Sequence, residues 1–396
     1  MAGQGEVVIL EGARTAFGSY GGALREVSAT DLGVVVAREA MRRSGVAAEE
    51  IESVVIGSVV QSSNDAAYLA RHVGLLAGIP RQVPALTVNR LCGSGLEAIV
   101  QAAHAILLGE ARYVLAGGSE NMSLTPHVVR GARFGFALGQ ANMEDYLWSA
   151  LTDSYNGLAM GMTAENLAAK YEITREAQDE FALSSQQRAV AAIQSGRLAE
   201  EIVAVSVKDK KGNVTEFAQD EHPRADSTLE KLARLKPSFK SGGTVTAGNA
   251  SGINDGAAAL VVADEATARE EGRQPLGRLL AWGTAGVDPD IMGIGPVPAI
   301  QQALQRAGLT LEQIDLFEVN EAFAAQYLAV ECELGLDRAR TNVNGGGIAL
   351  GHPLGASGAR LALSILYELR RRNLRYGVVA LCIGGGQGIA AVFERL

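Results

Sequence analysis

Helix-type segments and short apolar runs alternate along this chain. The pattern of apolar and polar positions predicts helices over 30–43, 96–108, Arg175–Gln194, 298–306 and 359–371. Apolar runs too short for helices predict strands over 54–60, 113–116, 257–263, Leu316–Val319 and 377–382. Glycine or an N-capping residue punctuates several of these elements. Gly45 should stop the first helix, while Thr174 and Gly196 should bracket the longest. Strands alternating with helices predict an α/β fold with a mainly parallel sheet covered by helices.

The order of elements repeats. Arg43-Ser44-Gly45-Val46, followed by Ile51, returns as Arg306-Ala307-Gly308-Leu309, followed by Ile314. The spacing is 263 residues, and it also relates Ser94-Gly95 to Ser357-Gly358 and Arg112-Tyr113 to Arg375-Tyr376. Two such copies predict two layered halves packed on each other, with a ligand site between them. Residues 1–122 and 254–272 should form the first half and 273–396 the second. The stretch 123–253, more irregular and richer in charge, should be an inserted loop domain. The linker to the second half falls near 270–275.

Composition narrows the function. Of the 396 residues 47% are hydrophobic, enough for large cores. The net charge of −9 argues against nucleic acid or an anionic membrane as the main partner. No run approaches the length of a membrane span. Cys92, Cys332 and Cys382 are the three cysteines, and none forms a C-x-x-C pair. Neither a zinc site nor a disulfide framework is expected. With no secretory signal pattern at the start, the expectation is a cytoplasmic protein with reduced thiols.

Cys92 lies in Asn89-Arg90-Leu91-Cys92-Gly93-Ser94-Gly95, immediately before an apolar helix. A thiol at a helix N-terminus meets unpaired N–H groups and the positive end of the dipole, which favour thiolate. The local sequence fits a buried, inert cysteine equally well. His352 lies in Gly345-Gly346-Gly347-Ile348-Ala349-Leu350-Gly351-His352-Pro353-Leu354-Gly355. Val343-Asn344 matches Val88-Asn89 at a spacing of 255, so the second copy carries eight extra residues before Ser357. His352 sits in that longer loop, and pseudo-symmetry turns the loop toward Cys92. A thiol and an imidazole that converge can perform nucleophilic catalysis. Cys382 ends an apolar strand ahead of Ile383-Gly384-Gly385-Gly386, and Asn320 follows another strand. By themselves these two read as a core cysteine and a turn residue. Cys332 reads as a helix packing residue. The glycine-rich stretches match neither the dinucleotide nor the Walker pattern, so no nucleotide cofactor is expected.

Taken together, Asn89–Gly95, Thr244–Ala258, Asn320–Ala324, Gly345–Gly358 and Cys382–Gly388 resemble the thiolase family over the whole chain. The resemblance implies two pseudo-repeated α/β/α halves in a layered α/β/α/β/α core with an inserted loop domain. It implies that Cys92 carries the acyl group and that His352 activates it. Cys382 would move a proton at the α-carbon of the second acyl-CoA. Asn320, through a water, would complete one oxyanion hole with His352. The N–H groups of Cys92 and Gly384 would form the other.

The resemblance also implies that coenzyme A, as substrate and product, lies on the loop domain against Leu151, Met160, Arg224, Ser227, Phe239 and Ser251. Met160, Met292, Ala322 and Phe323 would line the acyl pocket. Five basic residues against two acidic ones over 222–240 suit a phosphate-bearing ligand, and equally a solvated face. Ala159 stands where many short-chain members have histidine. The expected activity is acetyl-CoA C-acetyltransfer, with a broader 3-ketoacyl-CoA thiolase as the alternative. A non-catalytic acyl-CoA-binding protein is the reading from another class. No metal and no further cofactor are expected, and a homodimer or homotetramer is.

Overall fold

The computed structural model describes residues 6–208 and 211–396. In chain order the main elements are β1 (Val7–Thr15), α1 (Ala29–Ser44), β2 (Ser53–Gly57), α2 (Leu69–Ala77), β3 (Ala85–Val88), α3 (Ser94–Leu107) and β4 (Tyr113–Asn121). There follow α4 (Met160–Lys170), α5 (Arg175–Gln194), β5 (Asn254–Asp264), β6 (Gly277–Gly286) and α6 (Pro296–Ala307). The chain closes with β7 (Leu316–Val319), α7 (Ala324–Leu334), α8 (Leu354–Arg372), β8 (Tyr376–Ile383) and β9 (Gln387–Arg395).

The boundaries follow local chemistry. Ser28 caps α1 by accepting from the Asp31 N–H, and Gly45 ends it in the left-handed region at φ 69°. Thr174 caps α5 by accepting from the Ala177 N–H, as its position predicts. Helix α8 starts five residues before the expected 359. Its first turn, Leu354-Gly355-Ala356, is buried, so packing holds in a helix what its glycine made look like loop. Strand β2 ends at Gly57 rather than 60, because Val59 and Val60 turn their N–H groups to the Glu120 carboxylate.

The strands form one sheet in the order β7-β8-β9-β6-β1-β5-β4-β2-β3. Its centre is the seam between β1 and β6, which pair only at Val7–Ile9 against 277–279. Outward from that seam the two sides repeat each other. Strands β2 and β7 start at Ser53 and Leu316, β4 and β8 at Tyr113 and Tyr376, each pair at the 263-residue spacing. The sheet is mixed rather than mainly parallel. Only β2–β3, β2–β4 and β7–β8 run parallel along this path, while β5, β1, β6 and β9 join antiparallel. The last strand of each half, β5 or β9, pairs antiparallel with its neighbours. Strand β9 follows β8 through a turn at Gly384–Gly386, where Gly385 and Gly386 take φ of 77° and 78°.

Helices α3 and α8 pack on each other between the two sides of the sheet. Leu96, Ile99, Leu361 and Ile365 share one core with Leu260 and Val114 of one side and Ile389 and Leu381 of the other. Outside, α1 buries Leu32 and Val36 against β1 and β5, and α2 buries Leu69 and Val73 beside it against β2 and β3. Helix α6 buries Ile300, Ala303 and Leu304 against β8 and β9. The result is five layers, α/β/α/β/α. The repeated glycines mark the crossing of the two central helices. A methyl group on Gly95 would lie 2.7 Å from Gly355 O, and one on Gly358 would lie 2.3 Å from Leu96 N.

The stretch 123–253 holds α4, α5 and short locally paired strands. Buried Arg14 of β1 anchors it, bonding Glu201 at 2.7 Å and both oxygens of Asp220 at 2.7 and 2.9 Å. No helix among the described residues is long and apolar enough to cross a membrane.

Candidate active site

The segment between β3 and α3 is a tight, internally bonded loop. Asn89 Oδ1 accepts from the Leu91 N–H at 2.9 Å, and Leu91 adopts φ 46°. Ser94 Oγ accepts from the Arg90 N–H at 2.9 Å and donates to Leu91 O at 2.6 Å. These bonds present Cys92 just ahead of the helix, half-buried. The N–H groups of Cys92 and Gly384 both point at its sulfur. They do not make it a thiolate, contrary to what the helix N-terminus suggests. Burial, reinforced by the Glu120 carboxylate, pushes the thiol up to about 11. The helix effect is fractional and local, whereas desolvation acts on the whole charge.

His352 is buried at the end of the 345–351 loop. Its Nδ1 lies 2.6 Å from Ser357 Oγ, and Ser357 donates its single hydrogen to Pro353 O at 2.8 Å. Nδ1 therefore carries the ring hydrogen, and Nε2 presents a lone pair. The amide Nδ2 of Asn320 lies 3.3 Å from that Nε2. Burial, with Arg360 nearby, holds the imidazole down to about 3. It is therefore neutral around pH 7. Asn320 is fixed through its own N–H to Ala380 O at 2.8 Å, one strand away from Cys382. That cysteine is fully buried among Ala322, Phe323 and Met292. Desolvation first and the neighbouring Cys92 second push its thiol far up.

Cys92 and His352 share one cavity of about 240 Å³. Its walls include Leu151, Met160, Phe239, Ser251, Met292, Ala322 and Phe323, seven of the nine binding residues expected from sequence. Arg224 and Ser227 are not among them. They line a separate surface groove beside α5, with Gln186 and Gln187. Cys332 is exposed on α7 rather than packed.

Sequence reasoning passed over the residues that hold this geometry. Glu321, buried beside Asn320, accepts from Ser185 Oγ, Asn342 Nδ2 and the Ile348 N–H, and so pins the loop carrying His352. Glu120 is equally buried at the end of β4, and burial raises it to about 7. Trp148, Met122 and Leu354 also line the cavity. The available signal was a carboxylate beside an asparagine at the end of a strand, twice: Glu120-Asn121 and Asn320-Glu321.

Residues 7–266 match the family model for the thiolase N-terminal domain, and residues 273–395 match that for the thiolase C-terminal domain. The chain belongs to the thiolase family. It is 53% identical to the human mitochondrial 3-ketoacyl-CoA thiolase over 98% of each chain. It is 50% identical to an acetyl-CoA acetyltransferase of Cupriavidus necator, over 98% of this chain and 99% of that one. The crystal structure of the human mitochondrial 3-ketoacyl-CoA thiolase in complex with CoA superposes with a TM-score of 0.96 at 51% identity, covering 99% and 98% of the two chains. The thiolase fold expected from sequence is therefore present, and this thiolase is an acyltransferase. Relatives of both names match over the full length.

Proposed function

We propose that this thiolase transfers acetyl groups between coenzyme A thioesters. It would join two acetyl-CoA into acetoacetyl-CoA and cleave acetoacetyl-CoA and slightly longer 3-oxoacyl-CoA in reverse. The observation that carries the reading is one cavity holding Cys92 and His352, backed by Cys382 and walled by Met160, Met292 and Phe323.

In acylation, His352 Nε2 takes the Cys92 proton while the sulfur attacks the thioester carbonyl. The N–H groups of Cys92 and Gly384, already aimed at the sulfur, would hold the oxyanion. The C–S bond to coenzyme A breaks, and the departing thiolate takes the proton back from His352. In condensation, Cys382 would act as its thiolate, taking an α-proton from the second acetyl-CoA and becoming a thiol. Burial is the main obstacle to the ionisation this step requires, and acylated Cys92, which cannot carry charge, adds nothing to it. The enolate attacks the acyl carbon, the C–S bond to Cys92 breaks, and the leaving sulfur recovers the proton held by Cys382, which returns to thiolate. Asn320 Oδ1, buried without a hydrogen-bond partner among the described residues, leaves that amide able to hold a water against the enolate oxygen.

The bulk of Phe323, Met160 and Met292 limits the acyl chain, while Ala159 on the cavity wall adds room beside Met160. Coenzyme A would leave the cavity past Leu151, Phe239 and Ser251, with Arg224 and Ser227 serving its phosphate end outside. Thiolysis kinetics across 3-oxoacyl chains of four to ten carbons test this. kcat/KM should be of one order for four and six carbons and fall steeply beyond eight. A flat profile to ten carbons would refute the short-chain reading.

A further inference from the structure

We infer that Glu120 is a positioning residue, one buried carboxylate that sets the Cys92 loop and the His352 loop in register with each other. The inference rests on the reading of Cys92 and His352 as a working pair.

Glu120 sits at the end of β4 with no exposed surface. Its two oxygens accept from three backbone N–H groups. Val59 and Val60 donate at 3.0 Å each, from the loop that follows β2 in the first half. Gly355 donates at 2.9 Å, from the first turn of α8 in the second half. The first-turn N–H groups of a helix have no partner within it, so a carboxylate there satisfies a group that would otherwise be buried and unbonded. The approach is close: a methyl on Gly118 would lie 1.8 Å from Gly355 O, and one on Gly355 would lie 3.0 Å from Glu120 Oε2.

Each arm continues to a reacting group over a few residues, one arm through hydrogen bonds and the other along the first turn of α8. On one side, Val59 O accepts from Asn89 Nδ2 at 3.2 Å, and Asn89 Oδ1 accepts from the Leu91 N–H, next to Cys92. On the other, Gly355 stands two residues before Ser357, whose hydroxyl holds His352 Nδ1. No other carboxylate among the described hydrogen bonds accepts from both loops' supports. Proton transfer between sulfur and imidazole depends on their separation to a fraction of an ångström. A link across the two halves is what fixes that separation.

The test compares single-turnover acetylation of Cys92 by acetyl-CoA in wild type, E120Q, N89A and the double variant. The amide of E120Q keeps the volume but turns a donor toward N–H groups. Acetylation by E120Q should be slower by about tenfold or more, the scale of one charge-assisted hydrogen bond, with KM for acetyl-CoA unchanged. N89A, altered at an exposed side chain, should be slower by about threefold. Because both lie on one path, the double variant should be no slower than E120Q alone. Acetylation by E120Q within about twofold of wild type, or effects of the two variants that multiply, would overturn the inference. A parallel rise in KM would make Glu120 a general core residue and also overturn it. If E120Q does not fold, unchanged acetylation by N89A overturns the inference. Wild-type protein that fails to acetylate Cys92 at all would instead count against the proposed function.

Discussion

Replacing His352 by alanine isolates what the imidazole does for Cys92. Burial places the thiol at about 11, so at pH 8 only about one molecule in a thousand carries the thiolate. In the proposed acylation, wild-type enzyme avoids that fraction, because His352 Nε2 would accept the proton as the sulfur attacks. Without the base, acylation must run through the rare thiolate. The single-turnover rate of Cys92 acetylation at pH 8 should therefore fall by about 10³, a barrier increase of about 4 kcal/mol. It should also become proportional to hydroxide, rising about tenfold per pH unit between pH 7 and 10. Wild type should be nearly flat over that range, since His352 is held neutral down to about 3. Acylation is the step to measure, because overall turnover would mix its loss with any loss in condensation. Mass spectrometry of quenched protein gives the rate directly. A variant whose acetylation stays independent of pH, or falls by less than about 30-fold, would refute His352 as the base.

Two further outcomes follow from the geometry. Cys382→Ala should still acetylate on Cys92, yet fail to exchange the methyl protons of acetyl-CoA with deuterated solvent, read by NMR. Exchange at the wild-type rate would move the proton step elsewhere, most directly to His352. Gly358→Ala should lower stability by about 3 kcal/mol or more in urea unfolding, because its methyl would sit 2.3 Å from the Leu96 backbone nitrogen and no side chain can yield. An unchanged midpoint would mean that the central helices can slide apart.

The sequence by itself determined a good deal here. Local chemistry placed α1, α5 and β7 to within a residue, since caps, stop glycines and apolar spacing act over one or two turns. The 263-residue repeat determined that two halves exist, and its Ser-Gly pairs turned out to be the crossing of α3 and α8. Motif resemblance supplied Cys92, His352, Cys382 and Asn320, which the fold brings together. Tertiary structure decided the rest, because the quantities involved are not local. Whether β5 and β9 pair antiparallel depends on which edge each return reaches. Arg224 and Ser227 lie in the expected stretch but outside the cavity, since their position depends on how the 222–240 segment drapes on α5. The protonation of Cys92 is the clearest case. The helix start beside it in sequence favours thiolate, and only the burial of that loop in the folded chain, with Glu120 brought near from β4, keeps it a thiol.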